Sequence, residues 1–192
     1  LQMSTATIYA HRFDSANDEF SGIMGGGEPG VPRYWDFSTD IAKAWEHEQE
    51  IARTPGTRKV AMRTAMVMAP GKGGVFDVLH NMTRWGLGGA IGGGSQYVSW
   101  IHYQDFCAAV RFVIEQKKLT GPINFTSPNP LPQRDFMREL RRASHVAIGL
   151  PATKWMAEIG AWLLRTDTEL LLKSRRVVPA RLVQEGFKFQ FT

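Results

Sequence analysis

Residues 59–68 contain the strand-like run KVAMRTAMVM, and the fold class follows from the elements predicted on either side of it. A helix is predicted over 36–54, ended by Pro55-Gly56, and a second over about 75–85. Residues 1–9 are predicted to be the end of a strand that runs into a turn. The other predicted strands are 97–102 and 123–126, and the other predicted helices are 103–114 and 133–143. Strands that alternate with helices favour a parallel α/β sheet with helices on its faces.

Three segments carry apolar residues at helical spacing, the usual pattern of a helix face that packs on a core. In the helix over 36–54 these residues are Phe37, Ile41, Ala44, Trp45 and Ile51. In the helix that begins at Tyr103 they are Phe106, Val110, Val113 and Ile114. Near the C-terminus they are Trp155, Ile159, Trp162 and Leu163, for which a dimer face is the alternative to a core face. A domain boundary is predicted after residue 143, and residues 144–192 are expected to form a small, mainly helical domain with a last strand over 187–191.

The composition is that of a globular protein. Of 192 residues, 43% are hydrophobic and 21% are charged, and the formal net charge is +5. These values exclude a disordered tail and a collagen-like fibre, and no stretch reaches the roughly 20 apolar residues of a membrane span. Cys107 is the only cysteine, so no internal disulfide can form, and a cytoplasmic location is predicted.

Two stretches are rich in glycine. Residues 10–34 also contain many Asp, Ser, Asn and Pro residues and predict a long loop, a kind of segment that is often functional. Residues 86–94, GLGGAIGGG, lack the Gly-Lys-Ser/Thr ending of a phosphate loop and precede a strand rather than a helix. A flexible surface loop is therefore favoured there over direct phosphate binding.

The histidine and arginine residues bear on metal and nucleic-acid binding. The five histidines lack a metal-ligand spacing, and one cysteine cannot form a thiolate zinc site, so no metal is predicted. The basic clusters at 138–142 and 175–176 are interpreted as solvated helix faces rather than surfaces for an acidic partner. His102 lies between a strand and a helix, where polar residues often line a crevice. The structural alternative for His102 is a hydrogen bond to Asp105 or to a loop carbonyl.

Several segments together resemble one protein family. Residues 4–9, STATIY, resemble the Ser-Ser-Ala-Thr-Val-Tyr-Gly segment of the nucleotide-sugar epimerases, which are extended short-chain dehydrogenase/reductases. The chain is most similar to a branch of NAD(P)-dependent epimerases that ends in a short C-terminal domain of unknown function. The further segments that carry this resemblance are 36–46, 63–71, 85–89, 99–105, 121–130 and 176–182.

The resemblance implies a fold and a cofactor. The fold would be the C-terminal part of a Rossmann-like doubly wound parallel sheet plus a small, mainly helical C-terminal lobe. The family's first half carries Gly-x-x-Gly-x-x-Gly, which is absent here, so the chain is expected to start near the end of the fifth strand. NAD or NADP is the implied cofactor. Thr5 falls where the family has its catalytic Ser/Thr, while Thr64, Ala65 and Met66 would border the nicotinamide beside Thr5.

Three positions depart from the family pattern. The family's Tyr-x-x-x-Lys pair falls on Ser38 and Ala42, which cannot supply an acid/base and the charge that lowers its pKa. Tyr34 and Lys43 are close in sequence, but Lys43 lies roughly 100° from the expected helix face. The arginine that grips the nucleotide-sugar diphosphate falls on Val98, which offers phosphate no charge. The resemblance therefore supports dinucleotide binding by this chain better than it supports epimerase chemistry.

Two functions are compatible with these residues. The first is an NAD(P)-dependent epimerase/dehydratase-like oxidoreductase for a small-molecule substrate, in which Thr5 orients the substrate and the acid is Tyr34, His102 or the substrate itself. The second is a non-catalytic dinucleotide-binding or partner-binding protein. A homodimer is a candidate assembly, membrane partners are not expected, and charge-driven nucleic-acid binding is the least favoured function.

Overall fold

The computed structural model describes residues 1–153 and 169–192, which belong to two units. Unit 1 comprises Leu1–Val67, Ser99–Pro130 and Arg175–Thr192, and unit 2 comprises Met68–Val98 and Leu131–Ser174. The predicted apolar stripe at Trp155, Ile159, Trp162 and Leu163 lies outside the described residues, and a domain boundary after residue 143 stays a prediction.

The elements follow one another largely as the sequence predicts. The strands are β1 (Gln2–Thr5), β2 (Val60–Thr64), β3 (Met66–Met68), β4 (Tyr97–Val98), β5 (Trp100–His102), β6 (Gly121–Phe125) and β7 (Leu131–Pro132). The α-helices are α1 (Asp36–Ile51), α2 (Val75–Arg84), α3 (Tyr103–Glu115), α4 (Gln133–Ala143), α5 (Glu169–Leu172) and α6 (Ala180–Gln184). Two predicted strands are each divided, at Ala65 and at Ser99.

Unit 1 is built on a parallel sheet with the strand order β1-β2-β6. Side chains of a strand alternate between the two faces of a sheet, and both faces are covered here. On one face, buried residues of β2 and β6 pack against Ala109 and Val113 of α3. On the other face, Ser4 and Arg63 bond to Glu46 of α1. Helices on both faces of a parallel sheet confirm the predicted Rossmann-like α/β fold.

A buried ion pair joins α1 to the sheet. Arg63 in β2 donates to Glu46 through Nε at 2.9 Å and through Nη2 at 2.7 Å, and Ser4 donates to the same carboxylate at 2.7 Å. Arg63 also donates to the Tyr9 hydroxyl, which donates to Asn124 Oδ1 at 3.0 Å. Burial raises the pKa of the Tyr9 hydroxyl, against the opposing effect of the Arg63 charge. Ser4, Arg63 and Asn124 are in register, so this network crosses all three strands.

The predicted core face of α1 is wrong. Phe37 is 70% exposed, Trp45 48% and Ile51 55%, whereas the buried residues of α1 are Thr39 and Ala42. Glu46 lies on the same stripe as these two, because it follows them at i+7 and i+4. The apolar residues lie about two positions, or roughly 200°, further round the helix. The spacing of apolar residues predicts the wrong inner face for α1. The reason is that α1 faces the sheet with a charged residue and small side chains rather than with its large apolar residues.

The predictions for α3 and the C-terminal segment have mixed outcomes. Val113 is fully buried, and Phe106 and Val110 pack against the same core, as predicted. Ile114, assigned to that face, is 55% exposed. Residues 187–191 form no strand, because backbone N–H groups there bond to a side chain of α3 rather than to a neighbouring strand.

The loop over 10–34 is long, as predicted, and it is tied to the rest of unit 1. The backbone N–H of Asn17 donates to the carbonyl of Arg176, and Val178 donates to the carbonyl of Asn17. The Glu19 carboxylate accepts the backbone N–H groups of Asn124 and Arg181. Burial raises the pKa of Glu19 against the lowering effect of these hydrogen bonds.

Unit 2 contains a short antiparallel pair and a second buried ion pair. β4 pairs with β7, with Val98 opposite Leu131. Lys173 and Glu169 form an ion pair of 2.9 Å, and their side chains are only 2% and 3% exposed. None of the helices over 1–153 and 169–192 combines the length and the apolar character that a membrane crossing requires.

Removing one partner of the Arg63–Glu46 pair will strongly destabilise the protein. The Arg63→Met variant leaves a largely buried carboxylate without its counter-charge, and we expect a loss of about 3–5 kcal/mol in the free energy of unfolding, measured by urea denaturation. The double variant Arg63→Met/Glu46→Leu removes both charges and will recover most of that loss. Arg12→Ala is the control, because its partner Asp14 is 71% exposed, and it will change stability little. Equal effects of Arg63→Met and Arg12→Ala would contradict a structural role for the buried pair.

Candidate functional site

The candidate site lies at the carboxyl end of the parallel strands of unit 1. The last residues of β1, β2 and β6 are Thr5, Thr64 and Phe125, which are in register across the sheet. Adjacent strands are about 4.8 Å apart, so the two threonines are direct neighbours. In open α/β sheets, ligands bind beyond the carboxyl ends of the strands. The structure thus brings Thr5 and Thr64 together where the fold class places ligands.

The Thr5 hydroxyl accepts one structural hydrogen bond and still has a proton to donate. It ends β1 and caps the 3₁₀-helix Ala6–Ile8, and its Oγ1 accepts the backbone N–H of Thr7 at 3.1 Å. A hydroxyl has one proton to donate and two lone pairs to accept with. Within the described part of the chain, no hydrogen bond uses the Thr5 proton. Thr5 can therefore donate to an oxygen atom of a bound ligand while it keeps its capping role.

The three residues predicted to border the nicotinamide are consecutive, and their polar groups are already engaged. Thr64 is buried, and its hydroxyl donates to the carbonyl of Met62 at 3.1 Å. The backbone N–H groups of Ala65 and Met66 donate to the carbonyls of Phe125 and Ser99. These residues can therefore contact a flat ring through side-chain packing, whereas their N–H groups are committed to the fold.

Tyr34 lies on a different element from the strand ends. It belongs to the 3₁₀-helix Arg33–Trp35, which leads into α1, and its side chain is about half exposed. Its ring meets the Trp35 ring edge to face, with centroids 6.5 Å apart. The structure places Tyr34 on an exposed turn, and its assignment as the acid stays a prediction.

His102 ends β5 and caps α3. Its Nδ1 accepts the backbone N–H of Gln104 at 3.4 Å, and its ring stacks on Phe191 with centroids 3.7 Å apart. The structural alternative predicted for His102 is a hydrogen bond to Asp105 or to a loop carbonyl. The Asp105 carboxylate instead accepts the backbone N–H groups of Gln190 and Phe191. His102 is half-buried and keeps Nε2 as a second polar atom.

The three positions that depart from the family pattern lie in helix α1 and strand β4. Ala42, at the lysine position, is fully buried and packs with Ala6, Ile8, Tyr9 and Val177. Ser38, at the tyrosine position, is half-buried on α1, and Val98 is paired in β4. Among the described residues, no group of three or more His, Cys, Asp or Glu side chains is placed to hold a metal ion.

The polar residues that precede the strand ends were not predicted from the sequence. Ser4 and Arg63 each precede one of the two threonines in its strand, and Arg63 bonds to Glu46 and Tyr9. The available signal was Arg63 itself. An arginine in the middle of an otherwise buried strand requires a partner, since charged residues are almost never fully buried unless paired.

The glycine-rich stretch 86–94 is anchored rather than a free surface loop. Backbone hydrogen bonds join Leu150 to Gly86 at 2.7 Å, and Ala152 to both Ala90 and Gly92 at 2.9 Å. The Gln133 side chain accepts the backbone N–H of Ile91 at 3.0 Å. The glycines permit a close approach of two backbone segments within unit 2, because a Cβ atom at Gly89 would overlap the carbonyl of Leu150. The predicted surface position of this loop was wrong, because Ile91 and Gly94 are buried.

The chain is similar in sequence to proteins of the epimerase family. Residues 152–192 match the domain of unknown function DUF1731. An epimerase family protein of Mycobacterium leprae (strain TN) is 34% identical over 155 residues, which cover 80% of this chain and 49% of that protein. An epimerase family protein of Bacillus subtilis (strain 168) is 29% identical over 157 residues, covering 82% of this chain and 50% of that protein. Over about 80% of its own length, the chain is thus similar to epimerase family proteins.

Two solved structures of epimerase-related proteins share the fold. The human epimerase family protein SDR39U1 (isoform 2), crystallised with NADPH, matches with a TM-score of 0.81 and 26% identity, over 98% of this chain and 60% of that chain. A nucleoside-diphosphate sugar epimerase from Corynebacterium glutamicum matches with a TM-score of 0.72 and 27% identity, over 99% of this chain and 34% of that chain. The chain spans about half the length of the curated relatives it matches.

Adding a methyl group at Gly89 will destabilise unit 2. The Gly89→Ala variant must push Leu150 away from its hydrogen bond with Gly86, and we expect a loss of about 1–3 kcal/mol in thermal or urea unfolding. Gly74→Ala is the matched control, because a Cβ atom there meets nothing within 4 Å. If both variants unfolded at the same midpoint, the close approach at Gly89 would not constrain the fold.

Proposed function

We propose that this chain forms the nicotinamide side and substrate lobe of an NAD(P)-dependent, epimerase/dehydratase-like oxidoreductase that acts on a small molecule. The observation that carries the proposal is the row of Thr5 and Thr64 at the carboxyl edge of the parallel sheet. Similarity to epimerase family proteins supports it, because a solved structure with the same fold is described as a nucleoside-diphosphate sugar epimerase.

The residues at this edge fit a nicotinamide dinucleotide. Ala65 is small, and Met66 is half-buried and apolar, so the two offer packing surface for a flat ring, while Thr5 offers a hydroxyl. The bound cofactor would accept and return a hydride. NADPH accompanies the human neighbour and NAD accompanies a more distant epimerase from Thermus thermophilus, so both forms of the cofactor are candidates.

The chain's own groups would orient the substrate and supply a proton. Thr5 would donate a hydrogen bond to the substrate oxygen at the carbon that loses or gains hydride. Tyr34, His102 or the substrate itself would provide the acid, because Ser38 and Ala42 cannot. Val98 offers no charge to a diphosphate, so the proposed substrate is a small molecule rather than a nucleotide sugar.

A non-catalytic dinucleotide-binding or partner-binding role is the second candidate. The observation that favours it is the burial of Ala42, which leaves the family's lysine position filled by neighbouring apolar residues. Such a protein would bind the cofactor without turnover. A homodimer remains a candidate assembly for either function.

Cofactor binding is expected to perturb the row at the sheet edge. In a titration of the ¹⁵N-labelled full-length protein that contains this chain with NADPH, and in parallel with NADH, the amide signals of Thr5, Thr64, Ala65 and Met66 will shift saturably. The indole signal of Trp85 is the internal control, because Trp85 is 83% exposed in unit 2. Shifts confined to other residues, or the absence of saturable shifts, would overturn the proposed cofactor site.

The Thr5 hydroxyl is expected to matter for turnover. NADPH consumption with a panel of keto sugars and small aldehydes will fall by about 100-fold in Thr5→Val, which removes the hydroxyl, and will be largely kept in Thr5→Ser. Unfolding midpoints of both variants control for loss of the cap on Thr7. Saturable NADPH binding without consumption by the unmodified protein would favour the non-catalytic role, and equal rates in both variants would remove Thr5 from the mechanism.

A further inference from the structure

The last residues of the chain pack beside the N-terminus of α3 in unit 1. Phe187 is 8% exposed, and its ring meets Phe112 of α3 and Phe189, with centroids 5.4 and 4.8 Å away. These contacts fix the path of the segment just before its final residues. We call residues 187–192 the C-terminal tail.

A buried carboxylate holds the end of this tail. Asp105, in the first turn of α3, is 1% exposed. Its Oδ1 accepts the backbone N–H of Gln190 at 3.0 Å and its Oδ2 accepts that of Phe191 at 2.9 Å. Hydrogen bonds to an ionised acceptor are roughly twice as strong as neutral ones, and two of them fix both position and direction. The backbone of Phe191 is therefore set by Asp105.

The tail places an aromatic ring on the candidate residue His102. The Phe191 and His102 rings stack at 3.7 Å between centroids with an interplanar angle of 28°, and the Tyr103 ring lies 4.7 Å from His102. The imidazole is thus held between its own helix and the tail. In this orientation its Nδ1 accepts the backbone N–H of Gln104 at 3.4 Å.

That hydrogen bond favours one of the two neutral tautomers of His102. A neutral imidazole has one donor and one acceptor nitrogen. In a neutral imidazole whose Nδ1 accepts from Gln104, the proton lies on Nε2. An imidazole in this form donates a hydrogen bond from Nε2 and polarises an oxygen atom, rather than giving up a proton to it.

We propose that Asp105 and Phe191 are positioning residues that hold His102 as a neutral Nε2–H donor for the substrate. The inference rests on the proposed function, in which His102 is a candidate acid, and it narrows that role. His102 would stabilise negative charge on a carbonyl or hydroxyl oxygen of the substrate while Tyr34 or the substrate itself handled the transferred proton. The C-terminal tail would thereby take part in the site.

The tautomer of His102 can be measured without cofactor or substrate. In ¹⁵N–¹H correlation spectra of the full chain at alkaline pH, we expect the unmodified protein to show an unprotonated Nδ1 and a protonated Nε2 for His102. Phe191→Ala will move the two ¹⁵N signals towards each other, as expected when both tautomers interchange. Phe191 is 36% exposed, so this variant will fold.

Two further variants separate positioning from general stability. Phe191→Tyr keeps a ring over His102 and will restore the pattern of the unmodified protein. Asp105→Asn keeps one acceptor oxygen for the tail and will give an intermediate shift. Deletion of Thr192, which is exposed and follows the anchored residues, is the control and will leave the His102 signals unchanged.

The outcomes are independent of those for the proposed function. An Nδ1–H tautomer in the unmodified protein, or a pattern that Phe191→Ala leaves unchanged, would overturn the positioning role even if NADPH binds and reacts. Conversely, a fixed Nε2–H tautomer that Phe191→Ala releases supports the positioning role. Failure of NADPH to bind would then count against the proposed function alone.

Discussion

The structure of unit 1 depends on the ion pair between Arg63 and Glu46. An arginine near the middle of a parallel sheet must have a partner of opposite charge, because an unpaired charge in such a place costs several kcal/mol. Glu46 is that partner, and it also accepts from Ser4. The pair sets both the height of α1 above the sheet and its rotation, since a bidentate contact between a guanidinium and a carboxylate allows little freedom.

The rotation of α1 has consequences at the candidate site. With Glu46 facing the sheet, Ala42 faces inward one turn earlier and meets the residues that follow Thr5. A small side chain is required there, because Tyr9 and Val177 already occupy the space. Ala42, which the resemblance aligns with the family's lysine, is therefore part of the core. The polar network and the threonine row occupy adjacent residues of the same strands, so they point to opposite faces of the sheet.

Sequence patterns predicted those parts of the fold in which burial is apolar. The strands of the sheet and the face of α3 followed from hydrophobic runs and helical spacing, and Phe106 and Val113 lie where predicted. The same rule failed for α1, because its inner face uses Thr39, Ala42 and Glu46, whose common role depends on a partner in another strand. Hydrophobic patterning also failed for residues 187–191. Their backbone N–H groups bond to the Asp105 carboxylate, which is distant in the sequence. Thr5 and Thr64 could be named only through resemblance, since nothing in their own sequence shows that they become neighbours.

The C-terminal segment covers one edge of the parallel sheet in unit 1. In the described sheet β6 is an edge strand, so its outward backbone groups need partners that no strand provides. Arg181 donates to the carbonyls of Thr120 and Pro122 at 2.6 and 2.8 Å, and Glu19 accepts the N–H of Asn124. Leu182 is fully buried in the core beneath this edge. Residues 175–192 belong to the stretch that matches the domain of unknown function and also to unit 1. That part of the domain therefore protects the sheet edge with side chains, and through the same segment it reaches His102.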